Sequence, residues 1–489
     1  MHYLPYSLAL SCLLSLAQDN VLAAPSASAS PLPRAIPLVR RAAAQRNASE
    51  LSSWLSRQKE ILEAKYSGSA AQRKRASGFN LLTNQNADSS FYGSIAVGTP
   101  AISYDVILDT GSSDLWLAAS DGVSTTSDGI PTFDSTASST FTDLDTTFSI
   151  SYGSGAARGT LGKDAVQFAG FEVDQQTFGV VTQVSTDLLS APVSGLMGLG
   201  FASIAASGAT PFWQTLADND GTLDSPLMAF QLTRFVDTTT SNALQPGGTF
   251  NLGAVNTSLF TGAIDYQDIP SGEEGYWIQE LAALTVNGNS VTLDSGSGAY
   301  AAIDTGTTLV GGPQDAVSAL YAQIEGSAPL TGNEGYWSYP CSTNVNVTMK
   351  FGSSSIAWPI SNADFLLQQL SQDTCVGAFF ALSTAGTSAP PWIVGDTFLK
   401  NVYSVFRSSP ASVGFATLSA EALAMNGKTG AAPSATVGAV SATVTGSTAN
   451  SGTDRSSSAN GAPPSVGASV YALWAAALVS GLVGGAVML

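Results

Sequence analysis

Histidine is nearly absent from this chain. The only histidine among 489 residues is His2, in a stretch that predicts a cleaved signal peptide. The mature protein then has no imidazole, which excludes Ser-His-Asp and Cys-His catalysis and the His-Glu-x-x-His zinc motif. Any hydrolytic chemistry in this protein has to use other side chains.

Cysteine is almost as scarce, with three residues in the chain. Cys12 falls in the predicted signal peptide, which leaves Cys341 and Cys375. Two cysteines in a secreted chain predict one disulfide, which closes a loop of about 34 residues and contributes a few kcal/mol to stability. Two buried free thiols are the alternative.

Charged residues are also few, at 11 per cent, whereas Gly, Ser, Thr and Ala are abundant. That balance favours a β-rich secreted protein over a helical cytosolic one. Residues 1–75 hold ten basic and four acidic side chains (+6), and residues 76–489 hold eight and 32 (−24). A basic front segment suggests a pro-segment docked on an acidic body. The acidic body argues against nucleic acid as a partner and suits acid pH.

The first 75 residues have the pattern of secretory targeting and processing segments. A short apolar run at residues 8–17 predicts a signal peptide over residues 1–23, with cleavage after Ala17 or Ala23. Residues 24–75 form a predicted pro-segment, in which residues 49–66 have helical apolar spacing. Lys74 and Arg75 end a basic cluster that predicts the processing site, with residues 40–41 as a second candidate.

The C-terminal end is a predicted stalk followed by an apolar terminus. Residues 421–468 are rich in Ser, Thr, Ala and Gly, which predicts a disordered, O-glycosylated stalk. Residues 469–489 are uncharged and apolar, long enough to span a bilayer. No basic residue follows them, as it usually does in a membrane anchor, which favours a GPI signal. The candidate attachment residues are 456–461, among them Asn460. A retained membrane span is the alternative.

The region between these ends repeats its own motifs. Short β-type runs dominate residues 79–419, and the best helical patterns are at residues 313–324 and 362–370. Asp-Thr-Gly begins at Asp109 and again at Asp304, and an apolar-apolar-Gly motif follows each Asp after 87 and 89 residues. The repeat predicts an all-β fold of two similar lobes, residues 76–245 and 246–420, with a cleft between them.

Each Asp-Thr-Gly motif sets one carboxylate at the end of an apolar run, directly before a turn. We expect Asp109 and Asp304 to meet face to face. Gly111 and Gly306 let the backbone turn and approach closely. The hydroxyls of the next residues, Ser112 and Thr307, are expected to bond the outer carboxylate oxygens.

Two carboxylates in contact cannot both ionise, so they share one proton over a broad acid range. The ionised partner takes a proton from water while the protonated partner polarises the scissile carbonyl. Water attacks without a covalent enzyme intermediate, and the pair returns a proton to the leaving amine. This chemistry needs neither metal nor cofactor. One Asp-Thr-Gly alone is equally a capped β-turn, whereas two copies favour a catalytic pair.

These motifs resemble those of the pepsin-like aspartic proteases, over most of residues 79–418. The resemblance implies the bilobal pepsin-like acid protease fold, and the stalk and apolar end are similar to those of fungal yapsin-like members, with polyporopepsin-like members as the other group. The matching stretches are residues 91–95, 97–100, 109–116, 150–155, 391–398 and 413–416, with residues 36–38 and 64–66 in the front segment.

The resemblance also implies roles for individual residues. Tyr152 lies at the tip of a flap hairpin that closes over substrate, with Trp116 accepting its hydrogen bond. Lys65 and Tyr66 match the pair that covers the catalytic carboxylates in the zymogen. Substrate contacts are implied for Gly111, Ser112, Gly153, Ser154, Gly306 and Thr307.

Cysteine placement differs between the two lobes. The pair Cys341 and Cys375 matches the disulfide of the C-terminal lobe in this family. The disulfide common in the N-terminal lobe has no cysteine here, so the loop at residues 119–131 is expected to be looser.

Two features of the sequence give opposite indications of the substrate preference. Ser154 stands where some fungal members have an Asp that helps to admit Lys, which favours apolar or aromatic cleavage sites. Yapsin-like relatives share the stalk and anchor but prefer basic sites. Asn256 and Asn346 begin N-glycosylation motifs in the mature region, and Asn47 begins one in the pro-segment.

The sequence thus predicts an aspartic endopeptidase of the cell surface, made as a zymogen and active at acid pH. Its expected partners are protein or peptide substrates and statine-type inhibitors, with the membrane or cell wall at its C-terminus. A monomer is expected. A catalytically silent pepsin-like binding or cell-wall protein is one alternative, although such proteins typically lose an Asp or the flap Tyr. A structural wall mannoprotein is another, against which the large ordered body argues.

Overall fold

The computed structural model describes residues 77–122, 129–186, 188–219, 221–236 and 243–435, together with Val437 and Thr443–Val444. The predicted signal peptide, the pro-segment, the apolar C-terminus and most of the stalk lie outside these residues. So do residues 123–128 of the loop expected to be looser. The predictions for these parts, including the roles of Lys65, Tyr66, Lys74 and Arg75, stay predictions.

Strands are the predominant regular structure of the described residues, and helices are few, which confirms the expected all-β architecture. Their bounds are β1 Gly78–Gln85, β2 Ser90–Val97, β3 Ile102–Asp109, β4 Leu115–Ala118, β5 Thr142–Tyr152, β6 Gly155–Phe168, β7 Phe171–Val184, β8 Val193–Gly198, β9 Leu227–Leu232, β10 Leu244–Leu252, β11 Phe260–Asp268, β12 Ile278–Val286, β13 Asn289–Val291, β14 Tyr300–Ile303, β15 Val310–Gly312, β16 Ala328–Pro329, β17 Trp337–Pro340, β18 Val347–Phe351, β19 Trp358–Ile360, β20 Leu366–Gln369, β21 Thr374–Gly377, β22 Phe379–Ala381, β23 Trp392–Val394, β24 Val402–Ser408, β25 Ala411–Leu418 and β26 Thr443–Val444.

Helices in the described residues are short. They are α1 Phe212–Ala217, α2 Gln314–Tyr321, α3 Asn362–Phe365, α4 Asp396–Leu399 and α5 Ala420–Leu423, with 3-10 turns at Ser135–Ala137, Ala202–Ile204 and Gly296–Ala299. Helix α2 confirms the helical pattern at residues 313–324. The prediction at residues 362–370 is wrong beyond α3, because strand β20 begins at Leu366 and pairs with β21.

The strands form one large sheet and two smaller ones. The large sheet has the order β11-β25-β24-β9-β10-β1-β2-β3-β8-β4-β7-β6-β5, with β26 on β3. The second has the order β19-β18-β12-β14-β23-β15-β22, with β13 on β12, and the third is β16-β17-β21-β20. The predicted division between residues 245 and 246 falls inside β10, within the part of the large sheet that joins the two lobes.

The motif repeat corresponds to a repeated strand arrangement. In the N-terminal lobe β8 lies parallel to β3 and antiparallel to β4. In the C-terminal lobe β23 lies parallel to β14 and antiparallel to β15. Strands β3 and β14 are buried on both faces, which explains why the residues directly before each Asp, 106–108 and 301–303, are continuous apolar runs rather than alternating ones. Each repeat delivers one Asp to the end of a buried strand.

An aromatic cluster ties the lobes together beneath the large sheet. The ring of Trp277, from the C-terminal lobe, lies 4.4 Å from that of Phe201 and 5.4 Å from that of Trp213. Its indole nitrogen donates to the Leu199 carbonyl at 2.8 Å. Burial of such large side chains holds residues 199–201, 213 and 277 in one arrangement.

Candidate active site

Asp109 and Asp304 lie opposite each other at the junction of the two lobes. Asp109 ends β3 and Asp304 directly follows β14; only 5 and 8 per cent of their surfaces are exposed. A Cβ atom on Gly111 would lie 2.6 Å from the carboxyl group of Asp304, and one on Gly306 would collide with that of Asp109. Each carboxyl group therefore packs over the glycine of the opposite motif, which has to lack a side chain.

The two carboxyl groups have matching hydrogen bonds. The amide of Gly111 donates to Oδ1 of Asp109 at 2.8 Å, and the amide of Gly306 donates to Oδ1 of Asp304 at 2.8 Å. The second oxygens accept from hydroxyls: Ser112 Oγ lies 2.5 Å from Asp109 Oδ2, and Thr307 Oγ1 lies 2.6 Å from Asp304 Oδ2. These bonds fix the plane of each carboxyl group and leave the facing surfaces for chemistry.

Burial raises the pKa of Asp109 well above its usual range, and the charge of Asp304 raises that pKa further. Hydrogen bonds from Ser112 and Gly111 act in the opposite direction. Two carboxyl groups in contact keep a shared proton for the same reasons. The pair can therefore offer an acid and a base at once in acid solution.

Two threonines that the sequence reasoning gave no role lock the site together. The amide of Thr110 donates to Thr305 Oγ1 at 3.1 Å, and the amide of Thr305 donates to Thr110 Oγ1 at 3.0 Å. Each hydroxyl donates to a carbonyl of the other lobe, Thr110 to Ile303 at 2.8 Å and Thr305 to Leu108 at 2.6 Å. The repetition of Thr in both motifs was the available signal.

The predicted flap is a hairpin of β5 and β6. Tyr152 pairs with Gly155 at its end, and Gly153 and Ser154 form the exposed turn. The expectation that Trp116 accepts a bond from Tyr152 is wrong: Trp116 Nε1 donates to the Tyr152 hydroxyl at 2.8 Å. An indole N–H has no acceptor function, so the direction follows from the chemistry of the ring.

The carboxyl pair affects the protonation of the flap tyrosine, Tyr152. Burial, and next the charge of Asp109, raises the pKa of Tyr152, so its hydroxyl stays protonated. Ser112, whose hydroxyl donates its proton to Asp109, acts on the pKa of Tyr152 in the opposite direction, as does the hydrogen bond from Trp116. The hydroxyl oxygen of Tyr152 accepts a hydrogen bond from Trp116. The proton of that hydroxyl is therefore available for donation to another acceptor.

Several predicted sites lie away from the carboxyl pair. Cys341 and Cys375 form a disulfide; Cys341 directly follows β17, and Cys375 lies in β21, which pairs with β17. Asn346 is exposed. Asn256 is half-buried, and its Oδ1 accepts from the amide and the hydroxyl of Ser258 at 3.1 and 3.0 Å.

A buried ion cluster that the sequence reasoning missed lies behind the Asp304 loop. Lys400 Nζ lies 2.8 Å from Asp88 Oδ2 and 3.0 Å from Asp364 Oδ1. Arg234 pairs with the same Asp364 at 2.5 Å. Although burial favours the neutral amine, Asp364 and Asp88 raise the pKa of Lys400. The four residues come from distant parts of the sequence, and two positive charges balance two negative ones.

The cluster is connected to the catalytic loop through helix α4, which contains Asp396 and ends just before Lys400. The amide of Asp396 donates to the Thr307 carbonyl at 2.8 Å. Thr308 Oγ1 donates to the Ser89 carbonyl at 2.7 Å, next to Asp88. Among the described residues, no group of three His, Cys, Asp or Glu side chains could hold a metal ion.

Comparison with known proteins decides the family. The family model for eukaryotic aspartyl proteases matches residues 90–418. The chain belongs to the eukaryotic aspartyl protease family. Major aspartyl peptidase 1 of Cryptococcus neoformans var. grubii is 44 per cent identical over 449 residues, which cover 86 per cent of this aspartyl protease and 89 per cent of the relative.

Two further relatives extend the similarity. An aspartic protease of Phaffia rhodozyma is 37 per cent identical over 372 residues, covering 74 per cent of this chain and 85 per cent of the relative. Pepsin A of Sus scrofa is 32 per cent identical over 386 residues, covering 78 and 94 per cent. This aspartyl protease is an aspartic-type endopeptidase. The peptidase names of its relatives favour this activity over the alternative of a catalytically silent binding protein. No helix within the described ranges is long and apolar enough to cross a membrane.

Proposed function

We propose that Asp109 and Asp304 hydrolyse peptide bonds in acid solution as one pair that holds one proton. The ionised carboxyl takes a proton from water, the oxygen of that water attacks the peptide carbonyl carbon, and the protonated carboxyl hydrogen-bonds the carbonyl oxygen. The pair then gives a proton to the amide nitrogen as the C–N bond breaks, releasing a carboxylic acid and an amine. The packing of each carboxyl group over the opposite glycine is the observation that carries this proposal.

Tyr152 and the exposed turn of Gly153 and Ser154 close over the bound peptide in this proposal. The turn offers main-chain groups to an extended substrate, and the hydrogen bond from Trp116 holds the tyrosine ring over the pair. Gly111, Ser112, Gly306 and Thr307 supply the contacts nearest the scissile bond. Statine-type inhibitors, whose hydroxyl imitates the attacking water, are expected to bind between the two carboxyl groups.

Substrate preference follows from Ser154 in this proposal. The turn of the flap carries no carboxylate at this position to pair with a basic side chain. The partly buried apolar side chains beside Tyr152, including Ile107, Ile150 and Leu188, favour an apolar or aromatic residue before the scissile bond. The yapsin-like preference for basic sites is the competing outcome.

The route of this protease to its site of action is proposed from the sequence. A signal peptide directs the chain into the secretory pathway, and the pro-segment keeps it inactive, with Lys65 and Tyr66 over the carboxyl pair, until cleavage after Arg75. The mature monomer is attached to the cell surface through a GPI anchor or released, and Asn256 and Asn346 carry N-linked glycans.

Digestion of a peptide library between pH 3 and 7 tests the proposed function. The purified protein, with its pro-segment removed, is expected to cleave most rapidly in the acid part of this range, after apolar or aromatic residues, with complete inhibition by a statine-type compound. Cleavage that increases toward pH 7, or that resists the inhibitor, would contradict the acid dyad. Preferred cleavage beside Lys or Arg would contradict the specificity and leave the dyad intact.

A further inference from the structure

The chain beyond the family match folds back onto the protease. The match ends at residue 418, at the end of β25, and helix α5 follows. Residues 426–435 and Val437, here called the strap, then contact a succession of elements that leads away from β25. All of these residues fall within residues 421–468, for which the sequence predicts a disordered stalk.

The strap begins at the buried ion cluster. Asn426 Oδ1 accepts from the amide of Arg234 at 3.0 Å, and the amide of Gly427 donates to the Arg234 carbonyl at 2.8 Å. The guanidinium of Arg234 bonds Asp364 of the C-terminal lobe. The start of the strap is therefore held to a residue that itself joins the large sheet to the C-terminal lobe.

The middle of the strap contacts the sheet that joins the lobes. The amide of Gly430 donates to Oε1 of Gln245 at 3.0 Å. Gln245 belongs to β10 and is 1 per cent exposed. A Cβ on Gly430 would lie 3.3 Å from the ring of Pro246, so the strap backbone passes close to this strand.

The end of the strap is seated on the N-terminal lobe. Val437 is only 6 per cent exposed and packs with Ala96 at the end of β2 and Ala101 before β3. Its carbonyl accepts from the amide of Gly170 at 3.2 Å, in the turn between β6 and β7. Further on, β26 pairs in parallel with residues 102–103 of β3.

We propose that the strap is an integral part of the folded protease, which fastens the C-terminal tail to the N-terminal lobe. It passes from β25 by way of β9 and β10 to β2 and β3, and so crosses the junction of the lobes. A segment fixed at both ends of this path restrains the lobes. As a result, the stalk leaves the folded body near the first residues of β3, in the N-terminal lobe, and not at the end of β25 in the C-terminal lobe.

This placement has a consequence for a protein attached through its C-terminus. The attachment pulls on the N-terminal lobe near β2 and β3, rather than on the C-terminal lobe at β25. The contacts given above for the described strap residues are made with residues 96, 101, 170, 234, 245 and 246, none of which belongs to the turn of the flap or to the Asp-Thr-Gly loops. The proposal does not depend on whether the terminus carries a GPI anchor, nor on the catalytic roles assigned above.

A cross-link in the full chain tests where the strap lies. Ala101→Cys combined with Val437→Cys is expected to form a disulfide on mild oxidation, seen as a linked peptide by mass spectrometry, because the two side chains belong to one packed cluster. The matched control pairs Ala101→Cys with Ala431→Cys, an exposed strap residue. Equal yields from the two pairs, or no link in the first, would overturn the proposal.

A second pair of variants tests whether the contact stabilises the fold. Val437→Asp is expected to lower the Tm of the full chain at pH 6 by about 2–5 °C, because a charge would replace a buried apolar side chain. Ala431→Asp adds the same charge to an exposed position and is expected to leave the Tm within about 1 °C. An unchanged Tm for Val437→Asp would show that the strap is not part of the cooperative fold.

Discussion

Thr110 and Thr305 exchange hydrogen bonds across the junction of the lobes, each backbone amide donating to the hydroxyl oxygen of the other at 3.1 and 3.0 Å. The two residues are 195 positions apart and follow the two aspartates. Because each hydroxyl also donates to a carbonyl of the opposite lobe, the relative position of the carboxyl groups is set by a closed ring of bonds.

Replacing Thr305 by valine is expected to disturb this ring without changing the shape of the side chain. Valine leaves the Thr110 amide and the Leu108 carbonyl buried without their partner, at a cost of about 1–3 kcal/mol for each group. The expected result is a lower free energy of unfolding and a fall in kcat at unchanged pH optimum. Thr305→Ser keeps the hydroxyl and is the control; equal losses in both variants would contradict the role of the hydrogen bonds.

The bond between Trp116 and Tyr152 is expected to matter for activity more than for stability. Trp116→Phe removes the indole N–H and should lower kcat/KM by up to about tenfold, the equivalent of one hydrogen bond. Steady-state kinetics on one peptide substrate measures this effect. If the bond is the reason, adding Trp116→Phe to Tyr152→Phe should cost less than the product of the two single losses. Strictly multiplicative losses would argue for independent roles.

A buried carboxyl group in β3 is expected to limit stability at neutral pH. Asp105 is 7 per cent exposed, and its Oδ1 accepts from Ser94 Oγ at 2.7 Å. Burial raises the pKa of Asp105 to about 6, against the weaker opposite effect of that hydroxyl. Tyr92 is the titratable neighbour whose own pKa is raised by burial and by this carboxyl. Within the described ranges, Asp105 has no ion-pair partner.

The raised pKa of Asp105 determines the direction in which the stability of the fold changes with pH. The folded protein binds the proton of Asp105 more tightly than the unfolded chain does. The stabilisation from this proton is therefore complete below about pH 4 and is lost as the pH rises through about 6. The free energy of unfolding is expected to change by about 3 kcal/mol between these limits. Asp105→Asn should therefore be more stable than the wild type at pH 7 and nearly equal at pH 4. Thermal unfolding at both values measures this; an equal difference at pH 4 and 7 would contradict the titration of Asp105.

The buried ion cluster gives a prediction based on charge balance. Lys400→Met leaves Asp88 and Asp364 with the single positive charge of Arg234, at an expected cost of about 3–5 kcal/mol. Adding Asp88→Asn restores neutrality, so the double variant should be more stable than Lys400→Met alone. Chemical denaturation at pH 6 measures the three free energies of unfolding. A double variant less stable than either single one would show that packing, rather than charge, decides the effect.

The fold and the facing carboxyl groups of Asp109 and Asp304 were predictable from the sequence because both depend on local motifs that occur twice. It misled at residues 362–370, where Phe365, Leu366 and Leu370 have helical spacing. There the chain forms one helical turn and then β20, because pairing with β21 beside Cys375 satisfies the backbone of residues 366–369. Local spacing does not include a partner strand that lies further along the chain.

The ion cluster and the strap were not predictable for a related reason. Lys400 and Asp88 are separated by 312 positions, and each alone has the appearance of an ordinary surface charge. The strap has a composition typical of disordered linkers, and only the packing of Val437 against Ala96 and Ala101 distinguishes it. Such contacts depend on the completed fold, which brings distant segments together.

The proposed action of Asp109 and Asp304 as one acid–base pair is tested most directly by the kcat/KM of Asp109→Asn and Asp304→Asn. Each variant is compared with the wild type on one peptide at pH 4, after an added protease has removed the pro-segment, with Tm as the control for folding. Both variants are expected to fold and to lose about 10³-fold or more of kcat/KM, because asparagine can neither accept nor return the proton. Activity within tenfold of the wild type in either folded variant would contradict the account.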